Sequence, residues 1–230
     1  MTQNPASKDS MLSFSGGKDS TAMLIGLYDK GMLPDNIVFA DTLMEFPEMY
    51  DFISDVEKFI RQPIIRTTPR NNFFEWFFGR WTSGKYKGEI RGFPRTTLPC
   101  WFQREAKVVP MRPYTNSSDV VYVGYCHGEN RSLKDKKFRY PLKEWGWDNS
   151  KTRKVCKEYG LLNPLYKTFD RLGCYPCPKQ PQCALKAIQR GWPSLWNIIK
   201  QLEKISPTGF GLNDTSNLPR NIFTWTGGLT

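Results

Sequence analysis

No run of apolar residues in the 230-residue chain approaches the length of a membrane span, which excludes a helical membrane protein. The first ten residues, Met1 to Ser10, are polar and lack the apolar core of a signal peptide, so a cytoplasmic location is expected. In that compartment six cysteines are free thiols or metal ligands rather than disulfides. Internal repeats and low-complexity stretches are also missing. Acidic residues are in deficit, 22 against 33 lysines and arginines, and the formal net charge is +11. A basic balance of that size favours polyanionic partners such as nucleic acid or nucleotides. Histidine occurs once, at His127. It is a candidate acid–base residue and equally a loop histidine with no role.

What the chain does have is concentrated in Phe14-Ser15-Gly16-Gly17-Lys18-Asp19-Ser20. An apolar stretch, Met11 to Phe14, precedes it and an apolar-periodic stretch, Thr21 to Tyr28, follows. The pattern is strand, glycine turn, helix start. Two glycines let backbone approach a ligand closely, and the helix N-terminus points unpaired N–H groups at an anion. Ser15, Lys18, Asp19 and Ser20 add hydroxyls and charge to the same turn. The spacing is not that of a Walker A loop. A phosphate cradle is expected, the alternative being an ordinary tight turn.

Strand-like and helix-like segments alternate through the first part of the chain. Ile37 to Ala40 is a short apolar run of the kind buried in parallel sheets. Pro47 opens a helix with Phe52, Val56, Phe59 and Ile60 on one face, and Gln62-Pro63 ends it. Ile64-Ile65 and Val120 to Gly124 supply further strands. The expected fold class is α/β, a parallel sheet flanked by helices, with ligands beyond the carboxyl ends of the strands. Ser15 to Ser20 and Asp41-Thr42 lie at that edge. The expected organisation is a nucleotide-binding core over 1–145 with an aromatic and basic insertion near 68–99. A cysteine-bearing region over 146–205 and an irregular tail over 206–230 complete it.

In the insertion, Phe73, Phe74, Trp76, Phe77, Phe78 and Trp81 interleave with or precede Lys85, Lys87, Arg91 and Arg95. Such a segment can stack bases and neutralise phosphates. The four phenylalanines also fit one face of a core helix. Further on, Cys174 and Cys177 form C-x2-C followed by Pro178, with Cys183 close behind. Cys100, which opens a segment after the insertion, is the candidate fourth ligand. Four thiolates suit a [4Fe–4S] cluster or a structural zinc ion, and thiols that bind nothing stay open as a third reading. Cys126 and Cys156 read as packing residues.

The loop resembles the S-G-G-x-D-S signature of the PP-loop ATP pyrophosphatases, which split ATP into AMP and pyrophosphate. From about Leu12 to Cys183 the chain also resembles the phosphoadenylylsulfate (PAPS) reductase family. Asp41 to Glu48 looks like its D-T-G-x-E-x-P-E segment, with Leu43 in place of glycine. Cys100 to Pro110, with Lys107, looks like its cysteine-then-K-x-x-P segment. Gly124 to Arg131 is similar to G-x-R-x-x-E-S-x-x-R, with Cys126 where arginine usually stands and Asn130 where serine stands. Tyr140 to Trp145, Asn163 to Tyr166 and Arg171 to Pro178 resemble its later steps.

The family's sulfate reductases carry a late Glu-Cys-Gly-Leu-His segment, which this sequence does not show. The pattern is closer to the enzymes of DNA phosphorothioation and to cluster-dependent tRNA thiolases. The resemblance therefore implies an ATP pyrophosphatase that adenylates an acceptor for sulfur transfer. It implies ATP, Mg2+ and a [4Fe–4S] cluster, with zinc as alternative, and DNA or tRNA as acceptor with a possible sulfur-donor protein. Ser15, Lys18 and Asp19 would be catalytic. Gly16, Gly17, Ser20, Phe39, Asp41, Thr42, Glu45, Glu129 and Arg131 would bind nucleotide or metal, with Lys107 a further phosphate contact. Cys100, Cys174, Cys177 and Cys183 would hold the cluster. Two other classes stay open: a small-molecule reductase or adenylyl enzyme, and a non-catalytic nucleotide-binding subunit.

Overall fold

In the computed structural model, which describes residues 9–208, Ser10–Phe14 forms the first strand, β1, and Lys18–Asp29 the first helix, α1. The chain continues through β2 (Asn36–Ala40), α2 (Pro47–Ile60), β3 (Ile65–Thr67) and α3 (Phe73–Phe78). Next come α4 (Trp101–Gln103), a π-helical turn at Arg104–Val108, α5 (Val109–Ser117), β4 (Val120–Tyr122) and β5 (Phe138–Arg139). Helices α6 (Pro141–Glu144) and α7 (Asn149–Glu158), a 3-10 turn at Pro164–Lys167, α8 (Gln182–Gly191) and α9 (Pro193–Ile205) complete the order. Beyond Thr208 the expected irregular tail lies outside the described residues.

The chain divides into two compact units. The first holds residues up to Asp41, Pro47–Thr68 and Val109–Leu172; the second holds Thr42–Phe46, Pro69–Val108 and the chain from Gly173 onward. The first unit contains the whole sheet. Its five strands are all parallel, in the order β3-β2-β1-β4-β5. The α/β class with a parallel sheet flanked by helices is thus as the residue pattern predicts. Order reverses at β1: the chain winds out to β2 and β3, then crosses back to β4 on the other side. A crevice at such a reversal is where open parallel sheets bind ligands, and the Ser15–Ser20 turn sits there.

Burial explains the periodicities. Met11, Val38 and Val121 are fully buried on one sheet face, with Met111 and Tyr114 of α5 packed against them. Helix α1 is buried continuously from Ser20 to Leu27 because α7 packs along it as well as the sheet. Gly26, inside α1, is required by that packing. A Cβ there would lie 2.5 Å from the Trp145 ring. Helix α2 buries Met49, Phe52, Ile53, Val56 and Ile60, an amphipathic stripe.

In the second unit the aromatic segment forms a short helix that puts two of its four phenylalanines in the core. Asn72 caps α3 in a capping box with Glu75. Phe73 and Phe77 are core, packed with Phe93 and Phe102, while Phe74 and Phe78 remain exposed. The basic stretch after α3 folds into a short excursion closed at its base by bridges between Arg80 and Ile90 and between Trp81 and Lys87.

Candidate active site

The turn after β1 is built by its own side chains. Gly16 adopts φ +69°, and a Cβ there would lie 2.3 Å from the Met49 sulfur, so only glycine fits. The Ser15 and Ser20 hydroxyls are 2.9 Å apart, and Ser20 Oγ also accepts from Ser15 N–H at 3.1 Å. Ser20 and Thr21 hydroxyls both donate to the Gly17 carbonyl, at 3.1 and 3.0 Å. Two hydroxyls, one ammonium and the first N–H groups of α1 are thereby gathered within six residues.

Lys18 and Asp19 form the charged centre. Lys18 Nζ donates to both Asp19 carboxylate oxygens, at 2.7 and 2.9 Å, and to Asn149 Oδ1 at 2.6 Å. Asp19 Oδ1 also accepts from Thr152 Oγ1 at 2.7 Å and from the Cys126 thiol at 3.1 Å. Asn149, Thr152 and Cys156 stand at positions i, i+3 and i+7 of α7, one helix face. Cys156 donates to the Lys18 carbonyl at 3.2 Å. Tyr166 Oη accepts from Lys18 N–H at 3.0 Å, and Asn163 Nδ2 donates to the Gly16 carbonyl at 3.0 Å. Gly124, just past β4, lets the chain close on the turn. A Cβ there would meet Ser20 backbone at 3.1 Å.

Cys126 and Cys156 are buried, as packing residues are, and their thiols also bond into the turn. Burial, reinforced by the Asp19 charge, pushes both thiols up to about 12. Burial likewise raises the Tyr166 phenol to about 12. All three groups are neutral at ordinary pH, the two thiols donating and the phenol oxygen accepting. Asp19, Cys126 and Glu129 place one ligand atom each within 4.8 Å of one another, a convergence that can hold a metal ion. The two carboxylates suit a hard cation such as Mg2+. Glu129 meanwhile accepts from Cys126 N–H at 3.4 Å.

The remaining expected nucleotide residues are spread more widely. Phe39 is buried within β2, in register with Phe14 and Arg66 on its two sides. Asp41 is buried and accepts from Tyr50 Oη at 2.9 Å. Arg131 and His127 are exposed. In the second unit, Thr42 donates to Glu45 at 2.9 Å. Leu43, where the resemblance has glycine, stands at φ +60°, so the turn keeps a left-handed residue at a cost of about 1 kcal/mol.

The second unit also draws three cysteines together. The Lys107 ammonium lies 3.8 Å from Glu45, and Cys174, Cys177 and Cys100 are near enough to act on it electrostatically. Burial pulls its pKa down, but these four groups outweigh that and leave it raised. Cys174 is pushed up to about 12, chiefly by burial and then by Glu45, and its thiol lies 3.5 Å from Thr42 Oγ1. Cys100 caps α4 by accepting from Gln103 N–H at 3.4 Å. Cys183, on the first turn of α8, is exposed.

A pH-dependent consequence follows in the first unit. Thiols held near 12 when folded ionise near 9 when unfolded. Their contribution to stability is complete below about pH 9 and declines as pH rises toward 12. In metal-free, reduced protein, Cys126 and Cys156 are expected to resist iodoacetamide up to about pH 10, while exposed Cys183 reacts freely. Mass spectrometry of the alkylated peptides checks this. Equal rates at all three would contradict the buried, carboxylate-facing geometry.

Comparison with known proteins places this arrangement. Two uncharacterized proteins of Methanocaldococcus jannaschii are similar, one 29% identical over 236 residues and the other 24% over 234. The matches cover 91% and 93% of this chain but 45% and 51% of theirs, so the chain spans about half the length of these relatives. A phosphoadenylyl-sulfate (PAPS) reductase from Candida auris, solved as a phosphate complex, shares the fold. Its TM-score is 0.54 at 17% identity, over 75% of this chain and 82% of that one. A U34-tRNA thiolase from Methanococcus maripaludis, solved with its [4Fe-4S] cluster, superposes more loosely. Its TM-score is 0.43 at 12% identity, over 86% of this chain and 71% of that one, and it carries no argument about the site. Residues 9–180, from before β1 to the C-x2-C loop, match the phosphoadenosine phosphosulfate reductase domain, and the chain belongs to that family.

Proposed function

We propose that this protein is an ATP pyrophosphatase that adenylates an acceptor for sulfur transfer. The observation that carries the proposal is the Ser15–Ser20 turn at the carboxyl end of β1, with left-handed Gly16 and paired serine hydroxyls. Main-chain N–H groups at Gly16 to Ser20, the two hydroxyls and Lys18 would hold the β- and γ-phosphates. An acceptor oxygen attacks the α-phosphorus. The new P–O bond forms as the bond to pyrophosphate breaks, and the same donors stabilise the charge developing on the leaving group. Lys18 now rests on Asp19. Turning toward phosphate would release that carboxylate as a ligand for Mg2+, which would offset phosphate charge. Glu129 would assist, with Asp41 the alternative magnesium ligand. Phe39 to Thr42 would read the adenine, Glu45 would orient ribose or substrate, and Arg131 and Lys107 would contact phosphate.

The net charge of +11 favours a nucleic acid, DNA or tRNA, as the acceptor. A sulfur nucleophile, delivered by a donor protein, would then attack the acceptor atom that bears the adenylated oxygen; the bond to sulfur forms as the bond to that oxygen breaks, and AMP leaves with the oxygen. The thiols about Lys107 fit a thiolate-bound metal in donor chemistry. Cys100, Cys174, Cys177 and Cys183 would hold a [4Fe–4S] cluster, which when bound can carry the transferred sulfur; zinc on the same thiolates would be structural. The Lys107 ammonium would offset the charge of the thiolates.

Two experiments test these assignments. Asp19→Asn, which keeps an acceptor oxygen for Thr152 and Cys126, and Ser15→Ala are each expected to abolish pyrophosphate release, measured with ATP and bulk tRNA or DNA, while circular dichroism stays unchanged. Turnover at the wild-type rate in either variant would sink the loop assignment. For the metal, anaerobically purified protein is expected to contain iron, and the Cys177→Ser variant to lose it. Equal iron in the two proteins would remove Cys177 from the ligand set.

A further inference from the structure

Between Arg80 and Arg95 the second unit carries five cations, Arg80, Lys85, Lys87, Arg91 and Arg95, against one acid, Glu89. Among the described ion pairs none involves any of the five. Three of them lie against aromatic rings instead, and Arg80 donates to the Gly88 carbonyl. The Arg91 guanidinium lies 4.5 Å from the Trp76 ring centre, 4.7 Å from Trp81 and 5.7 Å from Trp101. Arg95 lies 4.3 Å over Tyr86, and Lys85 lies 5.7 Å from the same ring. Ring faces fix a cation in place without neutralising it. The excursion is itself braced. Arg91 N–H donates to the Gly79 carbonyl at 2.8 Å and Gly88 N–H to the Trp81 carbonyl at 2.9 Å.

Two buried donors of this cluster lack an acceptor: Arg91 Nε and Trp101 Nε1. Native structures rarely leave such groups unpaired without a reason. A surface that is rich in fixed cations and short of acceptors is complementary to a ligand made of acceptors. Lys85 and Lys87 are exposed at the tip, and the Trp81 and Tyr86 rings are half-exposed. The alternation of cation and ring matches a strand whose phosphates and unpaired bases also alternate. Bases stack on aromatic faces and on guanidinium planes alike. A duplex offers no free base faces to such a surface.

We infer that Arg80–Arg95 is a docking surface for single-stranded nucleic acid. Phosphates meet Lys85, Lys87, Arg91 and Arg95, and bases stack at Trp81 and Tyr86. The surface leads to the thiols of the same unit. Trp101, which packs against Arg91, adjoins Cys100 in sequence, and Lys179 of the C-x2-C loop donates to the Leu98 carbonyl at 3.0 Å. This inference rests on the reading of the acceptor as a nucleic acid. It does not require ATP cleavage.

The test is a fluorescence-anisotropy titration of the full chain, without ATP, using labelled single-stranded DNA, single-stranded RNA and a DNA duplex of equal length. Wild type is expected to prefer the single strands. Replacing both Lys85 and Lys87 with Gln, at the exposed tip, is expected to lower the salt slope of log K by about 1.4, two single-strand phosphate contacts. Tyr86→Ala, a variant clear of the Arg91 stack, is expected to weaken binding at least about fivefold. Unchanged affinity and slope in both variants overturns the proposal, as does preference for the duplex or failure to bind any oligonucleotide. Pyrophosphate release, assayed separately on wild type, tells failure of this surface from failure of the ATP reading.

Discussion

The Asp19 carboxylate collects donors from three separate stretches of chain: Lys18 beside it, Cys126 after β4, and Thr152 on α7. A carboxylate at the first turn of a helix is favoured by the helix dipole. It is costly to bury unless its oxygens are satisfied. Satisfying them from three directions fixes where β4 ends and which face of α7 turns inward, and through Asn149 it also fixes the Lys18 side chain. The glycines follow from the same constraint. Gly16 yields to Met49, and Gly124 yields to the Ser20 backbone. A side chain at either would push apart the segments that the carboxylate gathers.

On the proposed reading, this arrangement would store a cation beside the place where an anion is bound. With Lys18 on Asp19, the charges of the turn offset one another, and Tyr166 Oη takes the Lys18 N–H. A polyphosphate offers Lys18 a stronger partner, and release of Asp19 supplies an oxygen ligand for a divalent ion. The neutral thiols of Cys126 and Cys156 take no charge through that exchange, since burial keeps them protonated. The second unit follows a different logic. There a lysine pairs with a buried carboxylate, and the electrostatic pull of Glu45 and the neighbouring cysteines outweighs burial and leaves its pKa raised.

The turn, the parallel sheet and the strand edges were legible in the sequence because each is local. Glycines sit where φ is positive, apolar runs match single strands, and Pro47 opens α2. Asn149, Thr152, Asn163 and Tyr166 were not legible as site residues. Each reaches the turn from more than 120 positions away; no short-range pattern marks Asn149 or Thr152, and the family resemblance marks Asn163 to Tyr166 as a segment without giving it a role. The i, i+3, i+7 spacing of Asn149, Thr152 and Cys156 was the one signal that could have found α7's share. Strand β5 escaped because two residues in a lysine-rich stretch, Phe138 and Arg139, carry no alternation. Leu43 shows the opposite case, a left-handed position that a glycine would have announced and a leucine conceals. The aromatic segment supported two readings because α3 buries Phe73 and Phe77 and exposes Phe74 and Phe78.

The central claim is that the turn directs cleavage to the bond between the α- and β-phosphates. Incubating the protein with ATP labelled at the α-phosphate, in the presence of nucleic acid and Mg2+, and separating the labelled products tests it most directly. Labelled AMP, free or joined to the acceptor, with release of pyrophosphate, is the result the account predicts. Labelled ADP would place the cleavage at the γ-phosphate and contradict it.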